Sequence, residues 1–173
     1  GFHGVSRPVA ALEDFDGLRL RAPTQRTFEL AEALGARAVM CPPAEMLSGM
    51  KARTLDTAMI NWDFAGSIGA LEIAKFNTDT DQRYPGVYTS VIILVMNEAR
   101  YERLPHRFRA ALDANSGHAL GSWIGQAMAG GDDYWRGRAV SLGNTVNCIP
   151  AAELARWRDR AERIRRKWVG EMG

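Results

Sequence analysis

The stretch Gly17-Leu18-Arg19-Leu20-Arg21-Ala22-Pro23 decides how the rest of the chain is read. Leu18 and Leu20 alternate with Arg19 and Arg21, the period of a half-buried strand. Pro23 has no N–H to give to a ladder, so the strand ends there. Thr24 then caps a helix from Gln25 to Leu34. Arg21 thus stands at the carboxyl end of a strand, facing a helix start, where open α/β sheets bind ligands. It is a candidate for fixing a carboxylate. A surface arginine paired with a nearby Asp or Glu fits the same local pattern.

Working outward, residues 1 to 16 read as a connector that ends in a helical turn, Leu12 to Phe15. Gly35 terminates the helix that begins at Gln25. Arg37 to Cys41 predicts a second strand, closed by Pro42-Pro43, and Ala44 to Lys51 a helix. Leu55 to Ile60 predicts a third strand, broken by Asn61-Trp62-Asp63, with Asp63 as the N-cap of a helix from Phe64 to Ala74. This alternation argues for an α/β fold with a largely parallel sheet. Phe76 to Gly86 reads as a polar loop. Val87 to Met96 is β-branched and reads as a central buried strand. Helices follow from Leu104-Pro105 and again after Asn115-Ser116-Gly117, with Gly130-Gly131 as an end or a bend. A last strand, Thr145 to Ile149, precedes Pro150 and a helix with Leu154, Trp157, Ala161, Ile164 and Trp168 on one stripe.

The 173 residues suffice for one domain with a sizeable core, and 46% hydrophobic with 24% charged residues is a globular balance. A net charge of +2 gives no case for a nucleic-acid partner. No apolar run approaches the roughly 20 residues of a membrane span. The chain opens on Gly1-Phe2-His3-Gly4 without a methionine, as expected of a processed product or a piece of a longer chain. Cys41 and Cys148 lack metal-ligand spacing. They fit either a disulfide or two buried thiols, and their apolar strand-like surroundings favour the thiols. His3, His106 and His118 form no HExxH or HxH pattern, and no P-loop, GxGxxG or GxSxG is present. No metal, no cofactor and no catalysis are expected, and the chain reads as a binding scaffold.

The order of segments resembles the C-terminal half of DctP-type solute-binding proteins of TRAP transporters. The resemblance rests on Arg7-Pro8-Val9 followed by Asp14-Phe15-Asp16-Gly17-Leu18-Arg19-Leu20-Arg21-Ala22-Pro23, on Ala33-Leu34-Gly35-Ala36, on Pro42-Pro43-Ala44-Glu45 and on Leu55-Asp56. Asn61-Trp62-Asp63, Asp113-Ala114-Asn115-Ser116-Gly117 and Gly143-Asn144-Thr145 resemble one branch of that family. The resemblance implies a periplasmic-binding-protein-like lobe, with a parallel or mixed sheet flanked by helices and most of the first lobe lacking. It implies a periplasmic protein that closes around a small organic acid, dicarboxylates included, and delivers it to the TRAP membrane permease subunits.

In such proteins the arginine at the Arg21 position makes a two-pronged salt bridge with the ligand carboxylate. A guanidinium fork matches a carboxylate in geometry. Asn61 and Trp62 are the other expected ligand contacts, with Trp62 as aromatic wall or core tryptophan. The sequence departs from the family at Ile60, which fills a position often held by a ligand-contacting Asn; Asn61 follows where Pro is usual. Residues 1–86 are expected to form second-lobe α/β structure. Residues 87–139 supply a hinge-crossing strand and helices that pack on the missing lobe, and 140–173 a return strand and the final helix. Apolar surface meant for that lobe makes a homodimer or domain swap of this chain an expectation. A stand-alone interaction or sensor domain and an α/β enzyme using the same cleft are the alternative readings.

Overall fold

The computed structural model describes residues 1–80, 86–89 and 91–173. The first strand is β1 (Phe2–Gly4), and β2 (Arg19–Ala22) leads into helix α1 (Gln25–Leu34). Then come β3 (Arg37–Met40), α2 (Pro43–Lys51), β4 (Thr57–Met59), α3 (Trp62–Ser67) and β5 (Phe76–Thr80). Helices α4 (Glu98–Glu102), α5 (His106–Ala114) and α6 (Gly117–Ser141) precede β6 (Thr145–Ile149) and α7 (Ala151–Met172).

Local chemistry sets several of these boundaries. Thr24 caps α1: the Thr27 N–H donates to Thr24 Oγ1 at 3.3 Å, and the Thr27 hydroxyl donates back to the Thr24 carbonyl at 2.9 Å. Gly35 closes the same helix at φ 104°, a left-handed turn that glycine adopts without strain. Pro150 stands at the N-cap of α7, where its missing N–H costs nothing.

The six strands form one mixed sheet in the order β3-β2-β4-β1-β5-β6. The pairs β2–β3, β2–β4 and β5–β6 are parallel, while β1 runs antiparallel to both neighbours, β4 and β5. Helices α1 and α7 cover one face. There Phe2, Phe15 and Trp157 meet edge to face at centroid separations of 4.9 to 5.7 Å, with Leu20, Leu30, Leu34 and Leu154 packed around them. The other face holds Met46 and Met50 of α2, Trp62 and Ala65 of α3, and Ala139 of α6. The α7 stripe does what its spacing implied at its start: Leu154 and Trp157 are buried, whereas Trp168 is exposed.

Several expectations are corrected. Phe2–Gly4 is a central strand rather than connector, because its two antiparallel neighbours satisfy its backbone whatever its side-chain pattern. Phe76–Thr80 is strand, not loop: Asn77 and Thr78 are polar but buried, and β1 and β6 pair with them on either side. Residues 81–85 of that expected loop lie outside the described residues. The expected strand Val87 to Met96 does not form among the described residues: Val87 and Tyr88 pack on the core, while Val91 to Met96 carry no regular structure and are exposed. β-propensity needs a neighbouring strand to act on, and no described strand lies beside this run. The helix expected over Phe64 to Ala74 is instead α3 followed by a 3-10 turn at Ala70–Glu72, with Gly69 at φ 76° between them. Asn61, not Asp63, is the N-cap residue of α3. Cys41 and Cys148 are both free; Cys41 is half-buried and Cys148 exposed.

Gly130-Gly131 does not end α6, which runs on to Ser141, and its second glycine serves the packing of α3 on α6. A Cβ on Gly131 would stand 2.9 Å from the Asp63 carboxyl carbon, so the glycine makes room for that side chain. Gly66 does the converse: a Cβ there would lie 1.9 Å from Trp135 Cδ2. Alanine is the better helix former by about 1 kcal/mol, but this overlap requires Trp135 to move. Gly66→Ala is therefore expected to destabilise the chain by about 1–3 kcal/mol, read as a lower urea midpoint. An unchanged midpoint would show that the α3–α6 contact does not depend on the missing methyl.

Candidate functional site

Strands β2, β3 and β4 run parallel, so their carboxyl ends meet at one edge of the sheet. Arg21 sits at that edge and is only 5% exposed. Its Nε donates to the Cys41 carbonyl, just past β3, at 3.1 Å. Its Nη1 donates to the Met59 carbonyl, at the end of β4, at 3.2 Å. The guanidinium is thus held across three strand ends by neutral acceptors, and among the described residues it makes no ion pair. A buried cation without a counter-charge is unfavourable unless something else compensates it.

Arg19, two residues earlier, is the opposite case. Its Nε and Nη2 donate to the two carboxylate oxygens of Asp56 at 2.8 and 2.6 Å. That fork holds the Asp56 carboxyl below the usual carboxylate range. The structural role open to either arginine in the sequence is taken by Arg19.

Arg21 borders a cavity of about 500 Å³. Met59, Ile60, Phe64, Tyr88, Ile92 and Met128 give it mainly apolar walls, and Asn61 and Asp63 add polar groups. An adjoining cavity of about 300 Å³ shares Asn61, Tyr88, Ile92 and Met128 and adds Trp62, Asp79 and Asp132. Burial pushes the Tyr88 hydroxyl well above the usual tyrosine range, so it stays protonated and can donate.

The expected contacts separate here. Asn61 lines both cavities. It occupies the N-cap position of α3 at φ −76° and ψ 156°, yet its side chain makes no capping bond. Asp132 of α6 supplies one instead, accepting from the Asp63 N–H at 2.8 Å. The Asn61 amide is thereby left to the cavities. Trp62 is a core residue at 1% exposure. Its indole N–H donates to Asp79 at 2.6 Å, its ring meets His3 edge-on at 4.8 Å, and Arg136 lies 5.4 Å over it. It walls the adjoining cavity and does not line the one at Arg21.

Asp79 joins this cluster to α6 by accepting from Arg136 at 2.7 Å. Burial opposes its ionisation, but the neighbouring positive charges and the Trp62 and Thr80 N–H donors outweigh burial and hold its carboxyl below the usual range. Among the described residues no group of three or more His, Cys, Asp or Glu is arranged to hold a metal ion, and no helix is long and apolar enough to cross a membrane.

Sequence reasoning missed Tyr88, Asp63, Met128 and Asp132 as site residues. Tyr88 was read as part of a strand, and Met128 and Asp132, on α6, lie more than sixty residues beyond Asn61. The one local sign was the Gly130-Gly131-Asp132 run, whose glycine admits Asp63 and whose acid caps α3.

The family described as bacterial extracellular solute-binding protein, family 7, matches residues 1–171. A TRAP solute-binding protein from Rhodoferax ferrireducens T118, in complex with copurified benzoate, is 30% identical and superposes with a TM-score of 0.93. The match covers 99% of this chain and 53% of that one. A marine metagenome TRAP solute-binding protein specific for aromatic acid ligands, co-crystallised with 3-hydroxybenzoate, is 25% identical with a TM-score of 0.91, over 98% of this chain and 53% of that one. The 2,3-diketo-L-gulonate-binding periplasmic protein of Escherichia coli K12 is 26% identical over 113 residues, which is 65% of this chain and 33% of that protein. The chain spans about half the length of these solved relatives, or less of the curated one.

His3 offers a pH test of the cluster beneath the site. Its Nδ1 lies 2.7 Å from Asn77 Oδ1 and its Nε2 3.2 Å from the Ile60 carbonyl. Burial lowers its pKa from 6.5 to about 4. The unfolded chain therefore binds a proton between pH 6.5 and 4 that the folded chain refuses. The resulting stability is complete above pH 6.5 and is lost as pH falls toward 4, by about 3 kcal/mol. His3→Gln is expected to flatten the stability-versus-pH curve over that window, measured by urea unfolding at stepped pH. Equal slopes for both proteins would mean that His3 does not titrate in this way.

Proposed function

The chain belongs to family 7 of the bacterial extracellular solute-binding proteins, and from that premise we propose that it grips a small organic acid by its carboxylate at Arg21. As part of a periplasmic TRAP solute-binding protein, it hands that acid to the membrane permease subunits. The observation that carries the reading is the buried Arg21, which has no counter-charge among the described residues and faces a cavity of about 500 Å³. A guanidinium has five N–H groups. The two strand-end carbonyls use one on Nε and one on Nη1, so among the described residues one N–H on Nη1 and both on Nη2 remain to form a donor edge. That edge matches the two oxygens of a carboxylate. The same carbonyls fix the fork before a ligand arrives, which lowers the ordering cost of binding.

The walls favour an aromatic monocarboxylate. Phe64, Tyr88, Ile92 and Met128 offer apolar and ring surface, and the relatives at 30% and 25% identity were crystallised with benzoate and 3-hydroxybenzoate. Asn61 supplies a polar contact from the α3 cap, and Trp62 backs the adjoining cavity.

In this reading residues 1–86 and 140–173 build the second lobe. Residues 87–139 cross the hinge and face a first lobe that this chain does not contain. The exposed run Val91 to Met96, with Phe108, Leu112 and Trp123 exposed on the helices beyond it, supports that division. So does the coverage of about half of each solved relative. The isolated 173-residue chain leaves that apolar surface open and self-associates or swaps elements to cover it.

Calorimetry of the full-length protein with benzoate tests the grip. Arg21→Ala is expected to weaken binding by about 100-fold, equivalent to about 2.7 kcal/mol. Arg19→Ala is expected to lower the melting temperature while leaving affinity within about threefold, since it removes the Asp56 fork and not the cavity cation. An Arg21→Ala protein that binds benzoate as tightly as the parent would sink the assignment.

A further inference from the structure

Building on the proposed grip at Arg21, we infer that Asp63 is a specificity-determining residue: it rejects acids with a second carboxylate and favours those with a neutral donor, a hydroxyl, remote from the first. Asp63 lines the same cavity as Arg21. Among the described residues its carboxylate oxygens make no hydrogen bond and no ion pair. It is nevertheless held in place. Its backbone N–H is bound by Asp132 at 2.8 Å. Its side chain lies against α6 at Gly131, where a Cβ would stand 2.9 Å from its carboxyl carbon. A slot of this kind preserves a carboxylate that makes no bond to the described residues.

The cavity is therefore electrically polar. Arg21 provides a cation at the strand ends, and Asp63 an anion on α3. The adjoining space adds Asp132, and Asp79, whose charge is already engaged by Arg136 and the Trp62 indole. Apolar side chains such as Phe64 and Met128 fill the wall that these groups share. An acid anchored at Arg21 with a second carboxylate brings like charges together in a partly desolvated space, which is costly. A hydroxyl in the same place donates to Asp63 in a charge-assisted bond. The discrimination arises on the same wall as the grip, whatever the opposite wall contributes.

Calorimetry of the full-length protein with 3-hydroxybenzoate and isophthalate decides the matter; the two share a ring and a carboxylate and differ in a hydroxyl against a second carboxylate. The parent protein is expected to bind 3-hydroxybenzoate at least 30-fold more tightly, and Asp63→Asn to narrow that ratio at least tenfold. Asp63→Ser serves as a second variant, and the parent ratio decides alone where neither variant folds. Equal binding of the two acids by the parent, or an unchanged ratio in a folded Asp63 variant, overturns the inference. If Arg21→Ala still weakens binding of 3-hydroxybenzoate by about 100-fold in that case, the grip at Arg21 stands without it. If neither acid binds the parent, or Arg21→Ala binds both as the parent does, the grip itself fails and the inference falls with it.

Discussion

Two arginines on one short strand meet opposite electrostatic fates. Arg19 and Arg21 lie two residues apart on β2 and so point to the same side of the sheet. Arg19 reaches Asp56, which precedes β4, and forms a charge-assisted fork. Among the described residues Arg21 reaches only the carbonyls of Cys41 and Met59. Those carbonyls exist at that place because β3 and β4 both run parallel to β2 and stop at the same edge. The buried, uncompensated cation therefore depends on the topology of three strands, not on any single neighbour. Cys41 contributes through its main chain, while burial pushes its thiol pKa up and disfavours the thiolate.

The other side of the cavity depends on how closely α3 can approach α6. Gly66 admits Trp135 and Gly131 admits Asp63, so each helix gives up a side chain where the other projects one. This close approach brings Asp132 within reach of the first turn of α3. Capping by a neighbouring helix is unusual when an asparagine already occupies the N-cap, since Asn ordinarily supplies that bond itself. Here the borrowed cap leaves the Asn61 amide facing the cavity. The Asp79 bonds to Trp62 and Arg136 tie β5, α3 and α6 into the same rigid wall.

Legibility from sequence followed the range of the forces. The bounds of α1 and β6 were readable because their signals are local: Thr24 and Gly35 flank one, and Pro150 follows the other. Arg21 was readable for the same reason, since a strand closed by Pro23 announces where its last side chains lie. β1 and β5 were not, because three residues are too few to show a period and Asn77-Thr78 look like loop until two strands flank them. The run Val91 to Met96 erred the other way: its composition suits a strand, but composition supplies no pairing partner. Asp63, Tyr88, Met128 and Asp132 gather from segments whose proximity is a product of the fold, so no spacing in the sequence could have joined them.

The same contrast bears on why Asp63 does not simply neutralise Arg21. Both groups face one cavity, yet no ion pair joins them among the described residues. Each is restrained elsewhere: the arginine by two strand-end carbonyls, the aspartate by Asp132 through its backbone and by the slot at Gly131. If the two collapsed onto each other, each charge would be satisfied and the cavity would lose its polarity. Holding them apart leaves their electrostatic free energy unspent within the protein, available to a ligand that spans the gap. A binding site that must distinguish one small acid from another depends on this separation, because a cation alone attracts every carboxylate equally, whereas a fixed pair of opposite charges also measures what the rest of the molecule carries.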